Sequence, residues 1–448
     1  MDGNERPNVL MFMLHDLGDH LGCYGHETVE SPNVDGLAER GARLGSYFTA
    51  APECTPSRAG MFTGQFTHQN GLMGLCHRGW EFNSDAKHLA QYLAEGGYET
   101  HLFGLQHETS GNPERLGYLH AHSQDDKSAP IVCQAAIDFV EQTAEGDAPF
   151  FAHVGFFDVH RAWNEDTDID PDTIGVPPYL PDNSEVRRDL THFHQNIKDT
   201  DHAIGGVLDA IERSDIANNT VIIFTTDHGC PFPRAKSTYY DPGISIPLVI
   251  FRAGHFEGGD VHDALLSNLD FMPTILEICG CDVPDGIEGR SFLPVLEGQD
   301  AVGRTAVFGA LYYDAFYDPI HCVRTRTHKY IRSFAVTAED AEGADPEVLA
   351  KHKTGTWIRA DDSDVQRSLA WQSMLGDYEK PPPEELYDLA ADPLERNNLA
   401  EDPASASVLE EMRDLMQEMM VRSSSPLLNG HVSPDLSKTR NQSGPPKK

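Results

Sequence analysis

Short apolar runs alternate with longer stretches of helical periodicity through the first two thirds of the chain. Residues 9–14, just after Pro7, form a nearly continuous apolar run and predict a buried strand. Residues 100–103, 150–154, 221–226 and 247–251 predict further strands, and the β-branched run 221–226 has the character of a central one. Residues 86–95 predict a helix closed by Gly96-Gly97. Residues 131–143 and 265–279 predict two more. Residues 185–213 predict a long helix with Ile197, Ile204, Val207, Leu208 and Ile211 on its apolar side. This alternation predicts an α/β fold, a large, mostly parallel sheet sandwiched by helices. The pattern changes near residue 305. Residues 307–313, 322–325 and 329–333 predict antiparallel strands, and 408–420 a closing helix.

At 448 residues the chain is too long for one compact core. It reads as a large chemistry-bearing domain over 1–304, a smaller C-terminal α+β domain over 305–422 and a loose tail over 423–448 rich in Ser, Pro and Asn. Ligands of an open α/β sheet bind beyond the carboxyl ends of its strands. Those ends deliver His15-Asp16, His107, Asp158 with His160, and Asp227-His228.

Charge narrows the partners. Asp plus Glu number 71 against 34 Lys plus Arg, a formal net charge of -37, with acidic stretches at 165–172, 339–347 and 361–364. So little positive charge argues against nucleic acid, whose phosphates need Lys and Arg. A scattered acidic excess suits either an ordinary acidic surface or a protein kept soluble at high salt. Any anionic substrate must then meet a local positive site. The eight cysteines show no CxxC pair, which predicts buried free thiols. Residues 1–7 are polar and run straight into strand-like sequence, and no apolar run approaches a membrane span. The expectation is a cytoplasmic protein without a membrane partner.

The most specific stretch is Cys54-Thr55-Pro56-Ser57-Arg58, continuing to Thr63-Gly64. Pro56 suits the first turn of a helix, which puts Cys54 just before a helix N-terminus. That end and Arg58 favour an anion, and would depress a thiol pKa or stabilise a negative oxygen. The stretch resembles the sulfatase signature: Cys or Ser, any residue, Pro, Ser, Arg, and after a short apolar spacer Thr-Gly. Four further stretches extend the resemblance. They are Gly97-Tyr98-Glu99-Thr100 followed by Gly104-Leu105-Gln106-His107; Phe156-Phe157-Asp158-Val159-His160-Arg161; Pro231-Phe232-Pro233 followed by Lys236; and Glu385-Leu386-Tyr387-Asp388 with Asp392-Pro393-Leu394. The second and third look like the heparan N-sulfatase branch.

The resemblance implies an alkaline-phosphatase-like fold and conversion of Cys54 to formylglycine by a formylglycine-generating enzyme. It implies a divalent cation, most often Ca²⁺, held by Asp16, Asp227, His228 and the oxygen made from Cys54, with His15 at a further metal position. Arg58 would hold the converted residue, and His107 would take its proton. His160 would protonate the leaving group and Lys236 would clamp the sulfate. The substrate implied is a sulfated small molecule or saccharide. Two positions depart from the family pattern: His15 stands where an acid is usual and Leu105 where a lysine is. Arg161 suits either a substrate anion or a structural carboxylate, and His101 reads as structural. Two rival readings stay open here, a phosphonate monoester hydrolase or phosphodiesterase of the same superfamily, and a non-catalytic anion binder with Cys54 unmodified.

Overall fold

The computed structural model describes residues 6–123, 125–143, 148–256, 258–299, 303–313, 317–334, 368–374 and 382–430. Fourteen strands are named in chain order. They are β1 (Asn8–Leu14), β2 (Ala42–Leu44), β3 (Tyr47–Phe48), β4 (Glu99–Gly104), β5 (His120–His122), β6 (Phe150–Gly155), β7 (Thr220–Thr226), β8 (Leu248–Phe251), β9 (Asp260–His262), β10 (Leu266–Ser267), β11 (Ala306–Tyr313), β12 (Tyr317–Thr325), β13 (His328–Ser333) and β14 (Glu384–Asp388).

The large sheet has eight strands in the order β5-β4-β6-β1-β7-β8-β2-β9. β1, β6 and β7 are buried along their whole length, as continuous apolar runs require when both faces are covered. Side chains of β1 alternate between two cores. Leu10, Phe12 and Leu14 pack with Ala136, Val140, Phe193, Ile197 and Ile204 of the helices Ala129–Gln142 and Ser184–Arg213. Val9, Met11 and Met13 pack on the other face with Met61, Phe62, Leu93, Met272 and Ile275. β8 runs antiparallel to both β7 and β2. No long crossover helix separates Thr226 from Leu248, only a loop and the short helix Asp241–Ile244, so the chain returns in the opposite sense.

The predicted helix over 265–279 is shorter in the structure. β10 and a 3₁₀ turn, Asn268–Asp270, precede the helix Phe271–Ile278. The Ser267 hydroxyl accepts the Leu269 N–H, and the Asp270 carboxylate accepts the Ser267 N–H, a reciprocal cap that starts helical structure late.

β11 to β14 form an antiparallel sheet, with the helix Ala406–Arg422 packed on it through Leu409, Met412 and Met416. Its core includes Ala59 and Phe66 of the first half, so hydrophobic packing continues across the proposed division at residue 305. The stretch Glu385-Leu386-Tyr387-Asp388 is structural, with Leu386 and Tyr387 buried. Buried Lys329 pairs with Asp241 and with Glu395, each at 2.6 Å. The tail departs from expectation over 423–430. Ser423 and Ser425 are buried, and the Ser423 carbonyl lies 2.9 Å from His68 Nε2. Residues 431–448 and the acidic stretches 339–347 and 361–364 lie outside the described residues. All eight cysteines are unpaired, and no described helix is long and apolar enough to cross a membrane.

Candidate active site

Three central strands end level. The parallel register pairs Leu14 with Thr226 and Met13 with Gly155, so His15-Asp16, Asp227-His228 and the segment after Gly155 leave the sheet together. Asp16 takes a positive φ of 56°, a conformation Asp tolerates better than most residues. Its backbone N–H then donates to Asp227 Oδ1 at 2.9 Å. Cys54 is the first residue of the helix Cys54–Thr63, all ten residues of which are buried, and Gly64 closes that helix at φ 64°. The Ser57 hydroxyl donates to the Asp227 carbonyl at 2.5 Å, which locks the helix to the end of β7.

Two imidazoles define the centre. His15 Nδ1 lies 2.6 Å from Asp227 Oδ2, and a carboxylate that close requires the proton on Nδ1. Arg58 Nη2 is 3.1 Å from the same nitrogen, but it can donate instead to the Leu14 carbonyl at 3.3 Å. His15 Nε2 is left buried without a hydrogen-bond partner among the described residues, 3.7 Å from Asp16 Oδ1. His228 repeats the arrangement. Its Nδ1 donates to the Gly229 carbonyl at 2.9 Å, which leaves Nε2 3.2 Å from Asp16 Oδ1 and 3.4 Å from Cys54 Sγ. Two imidazole lone pairs facing one carboxylate oxygen repel each other unless a cation sits among them. Ligand atoms of His15, Asp16, Cys54 and Asp227 lie within 4.8 Å of one another. The residues therefore fit a divalent ion, with mixed nitrogen and oxygen donors.

The electrostatics agree with that fit. Burial opposes ionisation of Asp16, yet Lys236, His160, His15 and His228 hold its carboxyl well below the usual range. Burial likewise opposes ionisation of Asp227, and His15, His228 and Arg58 overcome it. Burial lowers His15 to about 4, so its ring is neutral. The Cys54 thiol is pushed up by burial; Lys236 opposes this, while Asp16, Asp227 and Glu53 add to it. This corrects the expectation of a depressed thiol pKa. The Arg58 guanidinium is committed to Asp227 Oδ2 at 2.9 Å, and carboxylates crowd the sulfur.

The predicted site residues converge. Lys236 Nζ donates to Asp16 Oδ2 at 2.5 Å and lies 3.5 Å from His160 Nε2. Its loop is pinned to the residue before Cys54, because the Ser237 hydroxyl bonds to the Glu53 carboxylate. His160 Nε2 is 3.7 Å from Asp16 Oδ2, and its ring stacks on His15 at 4.8 Å. Ligand atoms of His107, Cys54 and His15 lie within 4.8 Å of one another. His107 Nδ1 is buried without a partner among the described residues, and burial holds the ring neutral.

Other residues resolve differently. Arg161 forms a bidentate pair with buried Asp189, both bonds 2.7 Å, beneath Trp163, so it is structural. Arg161→Ala strands that carboxylate and is expected to cost about 3–5 kcal/mol, read by denaturant unfolding. Asp158 accepts the Ala129 N–H at 3.0 Å and caps a helix. His101 pairs with His122 on the sheet edge. Two residues escaped the sequence reading. Glu108 is buried beside Arg58, its Oε1 without a partner among the described residues, and nothing in the sequence but its place after His107 points to it. Phe157 is 42% exposed and stacks on His160 at 4.5 Å; an aromatic pair after a strand gives no sign which ring faces solvent.

Comparisons with known proteins point to one family. A family model described as Sulfatase matches residues 7–281, and one described as N-sulphoglucosamine sulphohydrolase, C-terminal, matches 234–345. The chain is 28% identical to human N-sulphoglucosamine sulphohydrolase over 462 residues, covering 91% of this chain and 89% of that protein. It is 26% identical to an ulvan-active sulfatase of Formosa agariphila, covering 91% and 74%. A solved 2-O GAG sulfatase superposes with a TM-score of 0.72 at 20% identity, covering 97% of this chain and 96% of that one.

Proposed function

The chain belongs to the sulfatase family, and from that premise we propose that it hydrolyses a sulfate ester or sulfamate of a sulfated sugar. The observation that carries this reading is the convergence of Asp16, Asp227, His228 and Lys236 on Cys54. Family membership implies a formylglycine at position 54 and a divalent cation. The converted residue supplies a hydroxyl nucleophile through its hydrate, and the cation neutralises sulfate oxygens. Ca²⁺ is the ion proposed, held by Asp16, Asp227, His228 and residue 54. The imidazole nitrogens of His15 and His228 extend the ions accepted to Mn²⁺ and Zn²⁺.

The chain's own residues divide the remaining work. Lys236 Nζ holds a sulfate oxygen. Arg58 fixes the orientation of Asp227 and, through it, His15. His107, neutral and with a nitrogen free, takes the proton from residue 54. His160, beside Lys236 and open to solvent on one side, gives a proton to the departing alcohol or amine. Cys54 is 4% exposed, so a formylglycine-generating enzyme must reach it before the chain folds.

The preference for an N-sulfated sugar draws support from the match to the N-sulphoglucosamine sulphohydrolase model and relative. A solved neighbour at 20% identity, with a TM-score of 0.70, holds D-glucosamine-2-N,6-O-disulfate. Phe157 offers the apolar face such a ring stacks on. Phe157→Ala is expected to raise KM for a saccharide by roughly tenfold with little change in kcat. An unchanged KM removes Phe157 from the sugar site.

The deciding experiment has two parts. Mass spectrometry of the Cys54 peptide from the native host is expected to show the aldehyde. Release of sulfate from N-sulfated and O-sulfated amino sugars is expected to exceed turnover of a phosphonate monoester or phosphodiester. Faster phosphonate turnover, or a fully retained thiol, overturns the proposal.

A further inference from the structure

A second group of metal-capable side chains lies outside the site built on Cys54. Asp19, His20 and His26 present ligand atoms within 4.8 Å of one another. His26 Nε2 lies 3.3 Å from Asp19 Oδ1, and His20 Nδ1 lies 4.0 Å from the same oxygen. The two imidazoles stack with centroids 4.0 Å apart. The backbone holds them there. Gly18 N–H donates to the His228 carbonyl at 2.9 Å, and His26 N–H to the Leu21 carbonyl at 3.2 Å.

His20 is the telling residue. Its side chain is 2% exposed, it meets Phe193 edge-on at 5.4 Å, and neither ring nitrogen has a hydrogen-bond partner among the described residues. A buried imidazole normally satisfies at least one nitrogen. His194, on the helix Ser184–Arg213, is buried too and leaves Nδ1 without a partner among the described residues. Burial, then His26 and His194, hold His20 neutral, the state in which imidazole binds metal. Asp19 and His26 keep 32% and 25% exposure, so an ion has a way in from solvent.

We propose that Asp19 Oδ1, His20 Nδ1 and His26 Nε2 form a second cation site that takes a borderline divalent transition ion, Zn²⁺ in the first instance. One carboxylate oxygen and two imidazole nitrogens make a donor set suited to Zn²⁺ and poor for Ca²⁺ or Mg²⁺, which prefer oxygen. An ion there ties residue 19 to residue 26 and stiffens the loop that begins three residues after Asp16. The site is structural and does not depend on the reaction proposed at Cys54.

The test uses the full chain, stripped with a chelator and dialysed against Zn²⁺, with bound zinc counted by elemental analysis. Asp19→Asn and His26→Ala both alter partly exposed side chains. Each is expected to hold one equivalent of Zn²⁺ fewer than the unaltered chain and to lose the rise in Tm that Zn²⁺ gives. Asp16→Asn, which disables the ion site at Cys54, is expected to keep the second equivalent. Equal zinc content in the unaltered chain and both loop variants overturns the proposal, as does loss of all bound zinc in Asp16→Asn. If His26→Ala fails to fold, Asp19→Asn, which keeps side-chain size, decides.

Discussion

Cys54→Ala is expected to lower kcat/KM for a sulfated substrate by at least about 10⁴-fold while the protein keeps its fold. Position 54 opens a buried helix, and alanine suits that helix at least as well as cysteine. The atom removed is one sulfur, which lies 3.4 Å from His228 Nε2 and 3.8 Å from Asp16 Oδ1. Loss of so small a group costs about 1 kcal/mol of packing. The catalytic loss has another origin. With the Cys54 thiol held protonated by burial and by Asp16 and Asp227, a thiolate is disfavoured, and the route to a nucleophile runs through conversion. Alanine cannot be converted. An unconverted serine at this position would present a hydroxyl with no carbonyl to re-form, and so no easy release of sulfate. Circular dichroism and steady-state assays check both halves. Activity within tenfold of the unaltered protein would place the nucleophile elsewhere.

Acid lability is the second large effect. His88, His194 and His321 are at most 2% exposed, and burial lowers them to about 3, 4 and 3. His88 adds a specific reason: its ring nitrogen accepts the Ala90 N–H at 3.1 Å, which a protonated ring cannot do. His321 sits among Phe308, Tyr312 and Phe334 with neither nitrogen partnered among the described residues. The unfolded chain binds protons at these groups below its own pKa of about 6.5, whereas the folded chain does not until about 4 or lower. Their stabilisation is therefore full above pH 6.5 and declines as pH falls toward 4. At pH 5 each costs about 2 kcal/mol, and the three together about 6 kcal/mol, comparable with the stability of a whole domain. The net charge of -37 works the other way, because acid relieves surface repulsion. Salt separates the two. At 1 M the surface term is screened within about 3 Å and the buried histidines are not. Urea unfolding from pH 7.5 to 4.5 in high salt is expected to show a steady loss of midpoint below about pH 6.5. A flat profile to pH 5 would mean these rings find partners when charged.

Much of this architecture was legible because its signals are local. Continuous apolar runs at 9–14, 150–154 and 221–226 are strands that need cover on both faces, and they became β1, β6 and β7 at the centre of the sheet. The reversed β8 was not legible, since strand direction depends on where the chain turns after the Asp241–Ile244 helix. The start of the Phe271–Ile278 helix was displaced by the Ser267–Asp270 cap, which helical periodicity passes over.

The site divides along the same line. Sequence by itself picked out the candidates, because Cys54, Asp16, His107, His160, Asp227, His228 and Lys236 follow strands or sit in a short, specific pattern. Tertiary structure decided what each does with its partners. It committed Arg58 to Asp227 and Arg161 to Asp189, turned His15 Nε2 and His228 Nε2 toward one oxygen of Asp16, and raised the thiol that a helix terminus alone would have lowered. Hydrogen-bond pairing and burial act through space between residues far apart in the chain, as Asp16 and Asp227 are at 211 positions. A linear pattern specifies the groups, but only packing brings their charges and lone pairs to the separations that set their behaviour.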